Sequence, residues 1–188
     1  MTGRPLLVMD VDGVLAPSSV GEGFRAHMYN GPGPDGSLVS GTVLLNAEHG
    51  AWLNMVLDKG IEVAWGSSWL DLANEWIAPR IGLRQSLPVI DVGRSRWSRF
   101  GWTSKFGPVS DYAADRALAW VDDDFGGKEP GWAEDRTRDL GLSTVIVQPH
   151  PLVGLTSEHI STIDNWVDSA LGETTVGGAD NPSREMLA

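Results

Sequence analysis

Three features of the sequence predict an α/β domain built on a parallel sheet. Short apolar runs recur at Leu6-Leu7-Val8-Met9, 61–64, 117–121 and 144–147. Amphipathic segments with helical spacing lie between and after them. Polar residues stand directly behind three of the runs, at Asp10, at Gly66-Ser67-Ser68 and at Asp122-Asp123-Asp124. Alternating strands and helices place helices on both faces of such a sheet. Ligands then bind beyond the carboxyl ends of the strands. The polar residues are therefore expected on one rim.

The first run is short, continuous and ends in an acid, as a buried parallel strand does. Residues 16–41 hold six glycines and three prolines and lack periodicity. They predict a long loop or flap, with a hairpin through 38–44. Long loops inside compact domains are often functional. The spacing of Trp52, Met55 and Val56 predicts a helix over 46–59, stopped by Gly60. Ile61 to Ala64 is the second strand. Residues 69–78 predict a helix with Leu72, Trp76 and Ile77 inward, stopped at Pro79. A short strand is expected at Leu87-Pro88-Val89-Ile90, then an Arg/Trp-rich loop over 91–106. A short helix over 111–115 precedes the third strand, 117–121. A charged helix over 130–140 ends at Gly141, and 144–147 forms the fourth strand. The last helix spans 156–170, with Thr156 as its N-cap. Residues 1–172 thus form one domain. The Gly-, Ser- and acid-rich stretch 173–188 is expected to be a disordered tail.

Composition narrows the function. The chain has 188 residues, enough for one domain, and a net charge of −11. That charge argues against nonspecific binding to nucleic acid or to anionic membranes. Zero cysteines exclude disulfides, Cys-ligated zinc and a Cys nucleophile, and fit a reducing cytoplasm. The N-terminal run meets Asp10 too early for a secretory signal, and no apolar stretch has membrane-spanning length. The histidines, His27, His49, His150 and His159, lack metal-ligand spacing.

Four signals follow one another along the expected rim. In Asp10-Val11-Asp12-Gly13-Val14-Leu15, alternate residues after a strand aim two carboxylates at one space, and Gly13 permits a sharp exit. Ser67, or its neighbour Ser68, offers a hydroxyl to a phosphoryl oxygen. Lys105, one of three lysines, offers a point charge to the same anion. Asp122-Asp123-Asp124 adds carboxylates that repel one another unless a cation is present. A hard divalent ion such as Mg²⁺ takes carboxylate, water and substrate oxygens.

In these residues the chain resembles the haloacid dehalogenase-like (HAD) hydrolase superfamily: DVDGVL at 10–15, Ser67, Lys105 and VDDD at 121–124. VLLNAEHGAWL (43–53), WGSSW (65–69), LAWVDDD (118–124) and GLTSEHI (154–160) are similar to small HAD domains found with RNA-repair proteins. The resemblance implies a HAD-like, Rossmannoid three-layer fold with a central parallel sheet. It implies Asp10 as a nucleophile that becomes an aspartyl-phosphate, and Asp12 as general acid/base. It implies Ser67 and Lys105 on the phosphoryl group. Mg²⁺ would be held by Asp10, the backbone of Asp12, and Asp123, with Asp122 bonding Lys105 or a metal water. Asp124 is expected at a helix N-terminus or in solvent.

The expected activity is Mg²⁺-dependent phosphomonoester hydrolysis. About fifty residues separate Leu15 from Ser67, which leaves room for the flap at about 16–45 but for no large cap. An open site suits a bulky phosphorylated substrate, whether small molecule, nucleotide or nucleic-acid end. Arg80, Arg84, Arg94, Arg96, Arg99 and Lys105 meet one acid, Asp91, over 80–105. With Trp97, Phe100 and Trp102 between them, these bases form either a substrate lip or a solvated loop. Gly13, Ser68, Arg94, Arg96, Arg99 and Trp97 are the candidate substrate contacts. Trp65, Trp69, Trp76 and Trp120 are assigned to the core. The alternatives are a phospho-acceptor regulatory domain and a non-catalytic HAD-like binding module. A receiver-like phospho-acceptor carries its acid pair first and its phosphorylated Asp after a later strand, the reverse of the order here.

Overall fold

The structure, a computed structural model, describes residues 3–33, 36–93 and 100–176. Four parallel strands form the central sheet: β1 (Leu6–Met9), β4 (Glu62–Trp65), β5 (Leu118–Val121) and β6 (Thr144–Val147), in the order β4-β1-β5-β6. An antiparallel hairpin, β2 (Arg25–Pro32) and β3 (Leu38–Leu45), stands apart from it. The helices are α1 (Ala47–Asp58), α2 (Ala78–Ile81), α3 (Phe106–Ala113), α4 (Glu129–Leu140) and α5 (Ser157–Val176).

Every residue of β1 and β5 is buried, as continuous apolar runs require when both sheet faces are covered. Alternate side chains serve the two faces. Leu7 and Met9 pack with Leu53 and Val56 of α1, Ile81 of α2, and Ile163 and Val167 of α5. Leu6 and Val8 pack with Val109 and Ala113 of α3, and Trp132 of α4 borders that cluster. The result is the three-layer α/β arrangement, with a sheet order compatible with a Rossmann-like fold.

Strand register sets the rim. Met9 lies opposite Trp65 and Val121, and Val121 lies opposite Val147, so the four strands end level. Asp10 and Asp122 leave the sheet level with Gly66, and Ser67 follows one residue on. The chain turns to opposite sides after β1 and β5, so this pair is the topological switch point where ligands bind in such sheets.

Several local expectations change. The segment read as an aperiodic loop contains a full eight-residue strand, β2, paired from Arg25↔Leu45 to Pro32↔Leu38. Its mostly exposed residues carry no apolar run to announce it. Val89 forms a single parallel bridge with Trp65 in place of a strand over 87–90. Pro79 does not end its helix. A π turn over Ala73–Ile77, closed by Ala78 N–H to the Ala73 carbonyl, precedes it, and the helix stops at left-handed Gly82. The wider turn accommodates a residue with no N–H to give. The helix expected over 111–115 starts earlier, at Phe106, directly behind Lys105. The last helix extends to Val176, into the stretch assigned to the tail. No helix among the described residues is long and apolar enough to cross a membrane.

Candidate active site

The buried end of β1 delivers Asp10, 4% exposed, and the end of β5 delivers Asp122, fully buried. Lys105 reaches both from the N-cap of α3. Its ammonium donates to Asp10 Oδ2 at 2.6 Å and to Asp122 Oδ2 at 2.7 Å. The remaining oxygens are also held: Asp10 Oδ1 accepts from Val11 N–H at 2.7 Å, and Asp122 Oδ1 accepts from Asp124 N–H at 3.1 Å. These bonds fix the rotamers of both carboxylates.

Asp123 completes the cluster. Asp10, Asp122 and Asp123 each present an oxygen within 4.8 Å of the others. Three carboxylates against one ammonium leave excess negative charge in a poorly solvated site. Burial and the charge of Asp10 push the Asp123 carboxyl up to about 6. The same two causes raise Asp122 despite its bond to Lys105. Burial would lower Lys105, but the charges and hydrogen bonds of Asp10 and Asp122 outweigh it and hold the ammonium above its ordinary range. A carboxylate set that holds protons too tightly is a set that favours a divalent cation. The all-oxygen donors suit a hard ion.

Gly13 makes this geometry possible. Its φ is +71°, and a Cβ there would lie 2.4 Å from the Asp123 carboxyl. Its role is thus wider than the sharp exit expected of it, because the missing side chain admits Asp123 to the β1 loop. Asp12 stands further out, where the Trp69 indole N–H donates to its Oδ1 at 3.1 Å. Trp69 therefore touches the site and is not simply core, as the sequence suggested. It stacks on Trp76 at 5.7 Å, and Tyr29 of the hairpin meets both rings edge-on at 5.1 Å.

The two serines separate. Ser67 is fully buried, and its Oγ accepts from Trp69 N–H at 3.4 Å. Ser68 lines a cavity of about 380 Å³ together with Asp10, Asp12, Lys105, Asp123 and Asp124. Asp124 is exposed and lies ahead of α4, so it is not a helix N-terminal acid. Arg94, Arg96, Trp97 and Arg99 fall outside the described residues. Of that loop, Phe100 is exposed, while Trp102 packs on Phe106 at 3.9 Å.

Glu129 drew no notice in the sequence because it sits in a charged helix. It is fully buried, and its two oxygens accept from Thr103 N–H and, at 3.0 Å, from Gly126 N–H. It ties the loop carrying Lys105 to the loop leaving Asp124. Gly126 permits that approach, since a Cβ there would lie 2.5 Å from the Trp102 backbone. Only the tertiary contact reveals the residue.

The chain matches no known protein-family model, no curated protein and no solved structure.

Proposed function

We propose that the chain is a Mg²⁺-dependent phosphomonoester hydrolase of the haloacid dehalogenase-like type, working through an aspartyl-phosphate on Asp10. The observation that carries this is Lys105 Nζ, 2.6 Å from Asp10 and 2.7 Å from Asp122, beside a cavity that Asp10, Asp12, Ser68 and Asp123 line. A carboxylate oxygen of Asp10 attacks phosphorus. The bond to the leaving alcohol breaks, and protonated Asp12 gives its proton to that oxygen. Water then attacks the phosphorus of the intermediate, Asp12 takes its proton, and the bond to Asp10 breaks to release inorganic phosphate. Lys105 neutralises phosphoryl oxygens, and Ser68, which lines the cavity, offers its hydroxyl to them. Asp10, Asp123 and the Asp12 backbone would hold Mg²⁺, with Asp122 behind them. When bound, the ion supplies charge neutralisation at the phosphoryl group.

The order of the acids along the chain supports a hydrolase over a receiver-like phospho-acceptor. The Asp10-Asp12 pair proposed to carry the phosphoryl chemistry follows the first strand and the acid cluster follows β5, the reverse of a receiver's order. A cytoplasmic setting suits a chain without cysteine. The test is a panel of phosphomonoesters with and without Mg²⁺. We expect Mg²⁺-dependent release of phosphate that Asp10→Asn abolishes. No turnover of any monoester, or equal turnover by Asp10→Asn, overturns the proposal.

A further inference from the structure

We infer that the cleft between the β2–β3 hairpin and the turn at 68–75 is the leaving-group subsite, and that it takes a flat, apolar group without negative charge, up to about the size of a nucleoside. The inference rests on the hydrolase proposal and narrows its substrate class.

The cleft holds about 470 Å³ and adjoins the catalytic cavity, because Asp12 and Ser68 line both. That volume lies in the range of small-molecule sites. A phosphoryl group at Asp10 must turn its leaving oxygen toward Asp12, and the cleft opens beyond Asp12. Its apolar walls come from two places: Tyr29, Val39 and Val43 on the hairpin, and Trp69, Leu70 and Leu72 on the turn. Aromatic walls of this kind suit a planar ring.

Gly41 creates the space. It pairs directly with Tyr29, so the two positions share one face of the hairpin. A Cβ at Gly41 would meet nothing within 4 Å, and its φ is not left-handed. A side chain there would project into the cleft without backbone strain. Charge sets the other limit. Asp12, Asp71 and Glu75 line the cleft, and no Lys, Arg or His does so among the described residues. A polyanionic leaving group, such as a nucleic-acid strand, is repelled where a neutral ring is accepted.

The test compares kcat/KM for phenyl phosphate, a nucleoside monophosphate, glycerol phosphate and a 5′-phosphorylated oligonucleotide. The first two should exceed glycerol phosphate by about tenfold or more, and the oligonucleotide should be the poorest substrate. Gly41→Trp should lower the ratio of phenyl phosphate to glycerol phosphate by about tenfold, with Gly41→Leu as a milder second variant. Glu75→Lys should improve the oligonucleotide. Binding of the unphosphorylated nucleoside, followed by NMR, gives a readout free of catalysis and should be lost in Gly41→Trp. A ratio unchanged in folded Gly41 variants, or a preference for the oligonucleotide, overturns the subsite while the hydrolase stands. Nucleoside binding that Gly41→Trp abolishes, in a protein that hydrolyses no monoester, retains the cleft and overturns the hydrolase.

Discussion

The carboxyl group of Asp123 occupies the space that a side chain on Gly13 would fill. Two residues far apart in the chain thereby share one small volume, and the carboxylate cluster depends on it. Gly13→Ala should cost about 1–3 kcal/mol from its left-handed backbone. It should also weaken Mg²⁺ binding about 10- to 100-fold by displacing Asp123, a loss of the size seen when ligand-orienting contacts are removed. Urea melts and titration calorimetry measure the two effects. Unchanged Mg²⁺ affinity in a folded variant would mean that Asp123 is not a ligand.

Lys105 neutralises two buried carboxylates at once. Lys105→Met should destabilise the metal-free protein by about 3–5 kcal/mol at pH 7.5, since both charges lose their partner. Mg²⁺ should restore part of that loss. Chemical denaturation of the variant with EDTA and with Mg²⁺ checks both statements, and a loss that Mg²⁺ leaves untouched would argue against a cation seat here.

Asp123 gives the metal site a pH dependence of known sign. Its folded pKa, about 6, lies above the unfolded value near 3.9, so the folded state holds the proton more tightly. From this group the metal-free protein gains stability as pH falls from about 7 toward 5, and loses it as pH rises through about 6. Divalent ions need the carboxylate, so the rise in melting temperature produced by Mg²⁺ should grow over the same window. Asp123→Asn should flatten that growth.

His49 acts in the opposite direction. It is 4% exposed, its Nδ1 has no hydrogen-bond partner among the described residues, and its ring lies edge-on to Phe24 at 5.5 Å. Burial lowers its pKa to about 4, and a bond to the Leu155 backbone offsets this only in part. The unfolded chain takes up a proton below about pH 6.5 that the folded chain refuses. Stability relative to His49→Leu should therefore fall by about 2 kcal/mol between pH 7 and pH 5. Parallel pH-dependent melts of the two proteins would show it.

Glu129 accepts from two backbone N–H groups in a buried place. Glu129→Gln turns an amide donor toward one of them, which should cost about 1–3 kcal/mol. It should also reduce kcat more than it raises KM, because the Lys105 loop is loosened. An effect on stability alone would confine Glu129 to a structural role.

Much of this was legible because it is local. Four apolar runs, three of them followed by the polar residues of the site, announce a parallel sheet and its rim, and the glycine stops at Gly60 and Gly141 mark turns that only a permissive residue makes cheaply. Both Gly60 and Gly141 adopt the left-handed conformation. The hairpin strand β2 was not legible, since its residues are mostly exposed and carry neither an apolar run nor a clean alternation. The helix through Pro79 was misjudged because a π turn is set by packing and not by propensity.

Sequence alone places Asp10, Asp12 and the acids at 122–124 at the rim, because they follow strand ends, whereas Lys105 lies in a loop and is singled out only by its order along the chain. Tertiary structure alone decided which of them meet. It buried Ser67 and turned Ser68 to the cavity, joined Trp69 to Asp12, fitted Asp123 into the space above Gly13, and hollowed a cleft opposite Gly41. The physical reason is range. Strand and turn preferences act over a few neighbouring residues, whereas close approach, burial and charge coupling arise only once distant segments share one space.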